Sequence, residues 1–217
     1  AQNVRILKTD SENSPIQARR ISPDARIKMQ SEQNLRGSKA EQKLIMQSLD
    51  ALQKIRPTKW QQNLSESIKA ALQNAPLDKL EGKSRLEFDY LLDKSNSINE
   101  WLNVLQVSYS IGDGLGFDIL LPDISSIKNE DVAETFGILL VEVKSSQAGG
   151  KIYLSANEVA KVDQYKTIKH WRLYHVLENK PVDRTDAVRK AVADANDLLK
   201  SESSLIPDTW VIEFPLE

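Results

Sequence analysis

The sequence predicts an α/β fold of the α+β type: a mixed β-sheet flanked by helices and preceded by an α-helical N-terminal region. Apolar residues recur at roughly helical spacing from about residue 29 to residue 91, which is typical of amphipathic helices. Near residue 100 the pattern changes to short β-prone runs that are interspersed with helical segments. Strands mixed with helices in this way indicate an α/β or α+β core with a mixed sheet.

Three helical segments are predicted in the first half. The first covers about residues 29–55 and ends before Pro57, because proline cannot continue a helix. The second follows Pro57 directly, and the third contains the run "RLEFDYLL". Residues 1–28 show no clear period, so we expect an irregular basic arm there and a helical region over residues 29–80.

The second half is predicted to form one domain over residues 81–217, in the order β-β-β-β-α-β-α-β. One helix begins at Ser155, where "SANE" has the form of a capping box, and another covers "DRTDAVRKAVADANDLLKS". The run "FGILLVEVKSS" is apolar enough for a central strand. The other strands are assigned to "WLNVLQVSYS", "FDILLP", "KIYLS", "WRLYHV" and "TWVIEF".

Charge is distributed unevenly along the chain. The net charge of −2 argues against a general polyanion-binding protein. Residues 1–43 nevertheless contain nine basic and five acidic residues, so this end carries +4 and the remainder carries −6. A basic arm on an acidic body is compatible with nucleic-acid contact. The alternative interpretation is a solvated leader.

Compartment signals are few. There is no cysteine, which fits a reducing compartment. There is no apolar run of 18 residues and no secretion leader at the N-terminus. We therefore expect a cytoplasmic protein with no membrane partner. The first residue is Ala rather than Met, which is compatible with a fragment of a longer protein.

Three charged residues interrupt the two most apolar runs, Asp118 in "FDILLP" and Glu142 and Lys144 in "VEVK". Side chains alternate faces along a strand, so Glu142 and Lys144 share one face. If the two strands form a hairpin, Asp118 reaches Glu142. Two carboxylates that meet favour a cation between them, and oxygen ligands suit Mg²⁺ or Mn²⁺. An ammonium beside them stabilises negative charge or helps to position a water.

A structural interpretation of the same residues stays open. An E-x-K pattern is common on solvated strands, where a cross-strand ion pair contributes less than about 1 kcal/mol. The context favours a site, because the acid and the amine end a strongly apolar strand. The aspartate also lies on a second apolar run, directly after the glycine-rich "GDGLG".

Five ordered blocks resemble the PD-(D/E)xK nuclease superfamily. They are most similar to the domain at the C-terminus of the plant NO VEIN protein, which also occurs in bacterial restriction and phage-defence proteins. The resemblance covers about residues 82–177, under half of the chain. The blocks are "GFDI" at 116–119, "VEVKSS" at 141–146, "SANE" at 155–158, Tyr165, and "WRLYHV" at 171–176.

The resemblance implies a restriction-endonuclease-like core and assigns roles. Asp118 and Glu142 are expected to bind Mg²⁺ or Mn²⁺ together with the main-chain carbonyl of Val143. Lys144 is expected to position the attacking water or to stabilise the transition state. The family usually has a further glutamate on a helix before the sheet, for which we favour Glu87 over Glu41.

The start of the helix at Ser155 has two interpretations. Ser155 and Glu158 satisfy the capping pattern, which contributes about 1 kcal/mol. The resemblance instead places Ser155, Asn157 and Glu158 beside the active site, where they contact DNA or the attacking water. Both roles are compatible with each other.

The resemblance implies a Mg²⁺-dependent endonuclease that hydrolyses DNA in restriction or anti-phage defence. Cutting both strands needs two sites, so a homodimer or a larger defence complex with an ATPase or helicase is expected. One alternative is a catalytically silent module of the same fold that binds DNA or a protein. Another is an interaction protein based on the helical half. The sequence leaves open whether the substrate is DNA or RNA.

Overall fold

The computed structural model describes residues 4–6, 23–73, 83–110, 115–127, 135–146, 151–177, 180–201 and 209–214. Helices and a mixed sheet are both present, with a helical N-terminal region, so the α+β prediction is confirmed. The helices in this part of the chain are α1 (Pro23–Ile55), α2 (Trp60–Gln73), α3 (Lys83–Lys94), α4 (Ile98–Leu105), α5 (Val107–Ser110), α6 (Ala156–Gln164) and α7 (Thr185–Ser201).

The described strands form two sheets. They are β1 (Val4–Ile6), β2 (Ile119–Pro122), β3 (Ile138–Ser146), β4 (Lys151–Ser155), β5 (Trp171–Leu177), β6 (Lys180–Asp183) and β7 (Thr209–Glu213). One sheet has the order β2-β3-β5-β6, and only its β3–β5 pair is parallel. The smaller sheet has the order β1-β7-β4 and is antiparallel.

The expected hairpin between the two apolar strands is confirmed. β2 and β3 pair antiparallel with Ile119 opposite Val141. Next to this ladder, the Asp118 amide donates to the Val141 carbonyl at 2.9 Å. The first six residues of β3 are buried, as expected for a central strand. The hairpin therefore brings the two predicted acids to the same end of the sheet.

Helix α1 packs directly on this sheet. It contacts both β2 and β3, and its buried stripe of Ile45, Leu49 and Leu52 is fully inaccessible to solvent. These residues belong to one continuous apolar core with residues of the sheet. The helical half thus forms one wall of the region that contains the predicted site.

The strand predicted over "WLNVLQVSYS" is wrong, because this segment forms α4 and α5. Ser97 caps α4 in a complete capping box with Glu100. Trp101, Val104 and Leu105 then fall on one buried face, so the cap and the tertiary burial outweigh the β propensity of the segment. One trace of strand character remains as a single bridge between Gln106 and Ile119.

The irregular arm expected over residues 1–28 is wrong at two places. Residues Val4–Ile6 form β1, which adds an antiparallel strand to the edge of β7. Helix α1 already begins at Pro23, a position where the fixed φ of proline suits the first helical turn. Residues 7–22 lie outside the described part of the chain. The edge strand β6 was not predicted; it pairs antiparallel with β5.

The remaining predicted elements of the second half are confirmed as β4, α6, β5, α7 and β7. In the described ranges, none of the helices combines the length and the apolar character that crossing a membrane requires.

Candidate active site

The loop before β2 is held in place by aromatic residues of the following elements. Gly116 adopts a positive φ of 83°, which favours glycine. The Trp171 indole donates to the Gly116 carbonyl at 2.9 Å, and the buried Tyr165 hydroxyl donates to the Leu115 carbonyl. The two rings stack with centroids 6.4 Å apart. These contacts fix the loop that carries Asp118.

Asp118 is partly buried and has a fixed carboxylate. Its Oδ2 accepts a hydrogen bond of 2.8 Å from the Val143 amide. Burial raises the pKa of Asp118 well above its ordinary value, and the negative charge of Glu142 raises it further. The Val143 hydrogen bond acts in the opposite direction but is outweighed. Ionisation of Asp118 is therefore less favourable in the folded protein than in water.

Glu142 lies next to Asp118 and is almost fully buried, with an exposed fraction of 7%. Burial raises the pKa of Glu142, although the ion pair with Lys144 lowers it. The Lys144 ammonium lies 2.9 Å from Glu142 Oε1, as expected for residues on one face of a strand. The structure thus brings Asp118, Glu142 and Lys144 together.

Lys144 has a second carboxylate partner. Its ammonium donates to Glu158 Oε1, so the lysine bridges the end of β3 and the start of α6. Burial alone would lower the pKa of Lys144, but the charges of Glu142 and Glu158 outweigh it and raise the pKa above its ordinary value. The lysine is therefore a fixed cation at the edge of the site.

Glu41 of α1 is a second helical glutamate whose charge acts on this cluster. It is 9% exposed, and its charge raises the pKa values of both Asp118 and Glu142. Its carboxylate accepts a 2.7 Å hydrogen bond from Gln106 and a longer one of 3.4 Å from Ser108. Of the two helical glutamates expected from the sequence, Glu41 is the less favoured alternative to Glu87.

Glu87 is solvent-exposed, unlike the buried Glu41. It lies on α3, which packs against α2 and α4, and its neighbours Leu86 and Tyr90 are also exposed. Glu41 is the better placed of the two, because its charge acts on both acids, and the choice between the two glutamates stays a prediction. A sequence signal existed: Glu41 continues the apolar stripe of Ile45 and Leu49 at four-residue spacing.

An open cleft of about 600 Å³ lies against the acids. Asp118 and Glu142 line it together with the predicted Ser155, Asn157 and Glu158. Asn157 and Lys161 are one turn apart on α6 and both line the cleft. Ser108 of α5 lines it too, and this residue was missed because its segment was predicted as a strand. A polar ligand can reach the carboxylates from this side.

The donor set fits a hard divalent cation that keeps water ligands. Two carboxylates with raised pKa values and a common position are oxygen donors of the type that Mg²⁺ and Mn²⁺ prefer. In the residues that the structure covers, there is no group of three or more His, Cys, Asp or Glu side chains that could enclose a metal. Mg²⁺ commonly binds through one or two carboxylates plus water, so this site resembles such a centre rather than a closed cage.

Three comparisons with known proteins were negative. No family model matches the chain, and no match was found to a curated protein or to a solved structure. The functional interpretation consequently depends on the residues and the geometry described above.

Proposed function

We propose that this chain is a Mg²⁺- or Mn²⁺-dependent endonuclease domain that hydrolyses phosphodiester bonds of DNA. The observation that supports this most is the cluster of Asp118, Glu142 and Lys144, whose two acids line an open cleft. It joins two acids of raised pKa to one fixed ammonium. Such an arrangement matches the chemistry of a metal-assisted displacement at phosphorus.

Each residue has a distinct proposed task. Asp118 and Glu142 would hold the cation with the main-chain carbonyl of Val143, whose amide is already tied to Asp118. When bound, the cation supplies Lewis acidity and lowers the pKa of a water. Lys144 places positive charge where the phosphoryl oxygens gain negative charge. Glu41 adds a third carboxylate, whose charge acts on both acids.

The proposed setting is restriction or anti-phage defence in the cytoplasm. It is supported by the resemblance of the blocks that contain Gly116, Asp118 and Lys144 to domains of defence proteins. Cleavage of both DNA strands would use a homodimer or a larger complex with an ATPase or helicase. These partners are expectations from the same resemblance.

A second candidate is a catalytically silent module that binds DNA or a protein partner. One observation favours it: the Lys144 ammonium is already engaged by two carboxylates, Glu142 and Glu158. A lysine in such a bridge has a structural role even without catalysis. This candidate predicts binding without cleavage.

The test is incubation of the purified protein with plasmid, linear duplex and single-stranded DNA, with Mg²⁺, with Mn²⁺ or with EDTA. We expect cleavage only with a divalent cation, and its loss in Lys144→Ala and Asp118→Asn. The matched control is Lys69→Ala, because Lys69 is also ion-paired, 2.6 Å from Asp93, but lies on α2. Unchanged cleavage by the Lys144 and Asp118 variants would contradict the proposal. Binding of DNA without any cleavage would favour the catalytically silent module.

A further inference from the structure

Helices α4 and α6 both begin with a capping box. Ser97 and Glu100 form a complete capping box at α4, and Ser155 and Glu158 form one at α6. In each box the serine hydroxyl accepts from the glutamate amide at 3.3 Å. The glutamate carboxylate in turn accepts from the serine amide, at 2.9 Å in α4 and 2.6 Å in α6.

The two boxes differ in what the glutamate does with its oxygens. Glu100 uses Oε2 for both the Ser97 and the Asn96 amides, and it is exposed. Glu158 uses Oε2 for the Ser155 amide and hydroxyl. Its other oxygen, Oε1, accepts from the Lys144 ammonium. One carboxylate thus serves the helix cap and the active-site lysine at the same time.

The contact between Glu158 and Lys144 affects how firmly the lysine is held in place. Its remaining carboxylate partner is Glu142 at 2.9 Å, which is also a proposed ligand of the cation. A lysine side chain has several rotatable bonds and loses much entropy when it is fixed. If Glu142 turns its charge toward a divalent cation, its attraction for the ammonium falls.

We propose that Glu158 is the positioning residue of Lys144. The capping box fixes one oxygen of Glu158 at the start of α6, and the other oxygen holds the Lys144 ammonium in place when Glu142 is engaged elsewhere. The contact itself belongs to the metal-free protein, whereas its catalytic consequence rests on the proposed nuclease function. The helix cap is therefore part of the active-site geometry.

The chain offers a matched pair of variants, Glu158→Gln and Glu100→Gln. Glutamine also fits the third position of a capping box, so both variants keep their helix start. Both lose one negative charge, but Glu158→Gln alone loses the ion pair with Lys144. If Glu158 served only as a helix cap, both variants should change the urea midpoint and kcat to the same extent.

The first measurement uses urea unfolding of the metal-free protein in a double-mutant cycle with Lys144→Met. We expect Glu158→Gln to lower the urea midpoint in the wild-type background, and this loss should disappear in the Lys144→Met background. Glu100→Gln should have the same effect in both backgrounds. An effect of Glu158→Gln that is independent of Lys144 overturns the proposal.

The second measurement uses the kinetics of the cleavage reaction. Glu158→Gln should lower kcat by about 10- to 100-fold, as outer positioning contacts commonly do, with little change in KM. Glu100→Gln should match the wild type. A wild-type kcat in Glu158→Gln overturns the positioning role, and so does an increase confined to KM, which would indicate direct DNA contact.

Failure of the two proposals can be separated. If the wild-type protein cuts no substrate with either cation, the proposed nuclease function fails. The cycle in metal-free protein then still decides whether Glu158 holds Lys144, because it needs neither a cation nor a substrate.

Discussion

Replacement of Asp118 by asparagine should make the metal-free protein more stable at neutral pH, although it removes the proposed activity. Asp118 is partly buried, and burial together with the charges of Glu142 and Glu41 raises its pKa well above the ordinary value. The folded state therefore holds this carboxylate at a cost when it is ionised. Asparagine removes the charge, and its oxygen can still accept from the Val143 amide that Asp118 binds at 2.8 Å.

The direction of the Asp118 pKa shift determines whether Asp118→Asn stabilises the protein and over which pH range it does so. A carboxyl whose pKa is raised by folding contributes stability below its ordinary pKa, and this contribution is lost as the pH rises through the raised value. The asparagine variant has no such dependence. The advantage of Asp118→Asn should consequently be small near pH 4 and reach about 1–3 kcal/mol at neutral pH, the usual cost of a buried polar group that is incompletely paired. For a chain of this length each kcal/mol corresponds to about 2–4 °C in Tm.

The assay is urea unfolding of both proteins in EDTA at several pH values from 4 to 8. The control is Asp93→Asn, because the ion pair with Lys69 lowers the pKa of Asp93 instead of raising it. This control should show no gain in stability at neutral pH. If Asp118→Asn is no more stable than the wild type at pH 8, or if its advantage grows toward acid, the reasoning about this site is wrong.

Two further predictions concern the residues around the acids. Gly116→Ala should destabilise the fold by about 1–3 kcal/mol in urea unfolding, because the φ of Gly116 is 83° and a Cβ would lie 2.6 Å from the Tyr165 ring. The control is Gly37→Ala in α1, where a Cβ meets only ordinary van der Waals contact. This control should stabilise the fold by up to about 1 kcal/mol. Glu41→Gln should reduce divalent-cation-dependent cleavage by about 10-fold or more, whereas Glu87→Gln should leave it unchanged. The reverse result would indicate that Glu87 is the glutamate that serves the site.

Much of the second half was predictable because its signals are local. The capping box at Ser155 and Glu158 is written in four consecutive residues. The apolar run of β3 and its polar end are likewise visible in the sequence. Asp118 could be placed near Glu142 because two apolar strands that follow one another commonly pair as neighbours.

The missed features depend on contacts between distant parts of the chain. The segment of α4 and α5 contains β-prone residues, and its helical state depends on the cap at Ser97 and on the burial of Trp101. Glu41 reaches the site only because α1 packs across β2 and β3, about seventy-seven residues before Asp118 in the chain. Helical periodicity shows that Glu41 lies on a buried stripe, but it does not show which surface covers that stripe.

The central claim is that Asp118 and Glu142 bind one divalent cation, and titration of the protein with Mn²⁺ by electron paramagnetic resonance tests it directly. Free Mn²⁺ gives a strong signal that weakens when the ion is bound, so the measurement requires neither a substrate nor activity. We predict saturable binding to the wild-type chain that is lost in Asp118→Asn and retained in Glu87→Gln. Absence of saturable binding in the wild type, or equal binding in Asp118→Asn, would contradict the account.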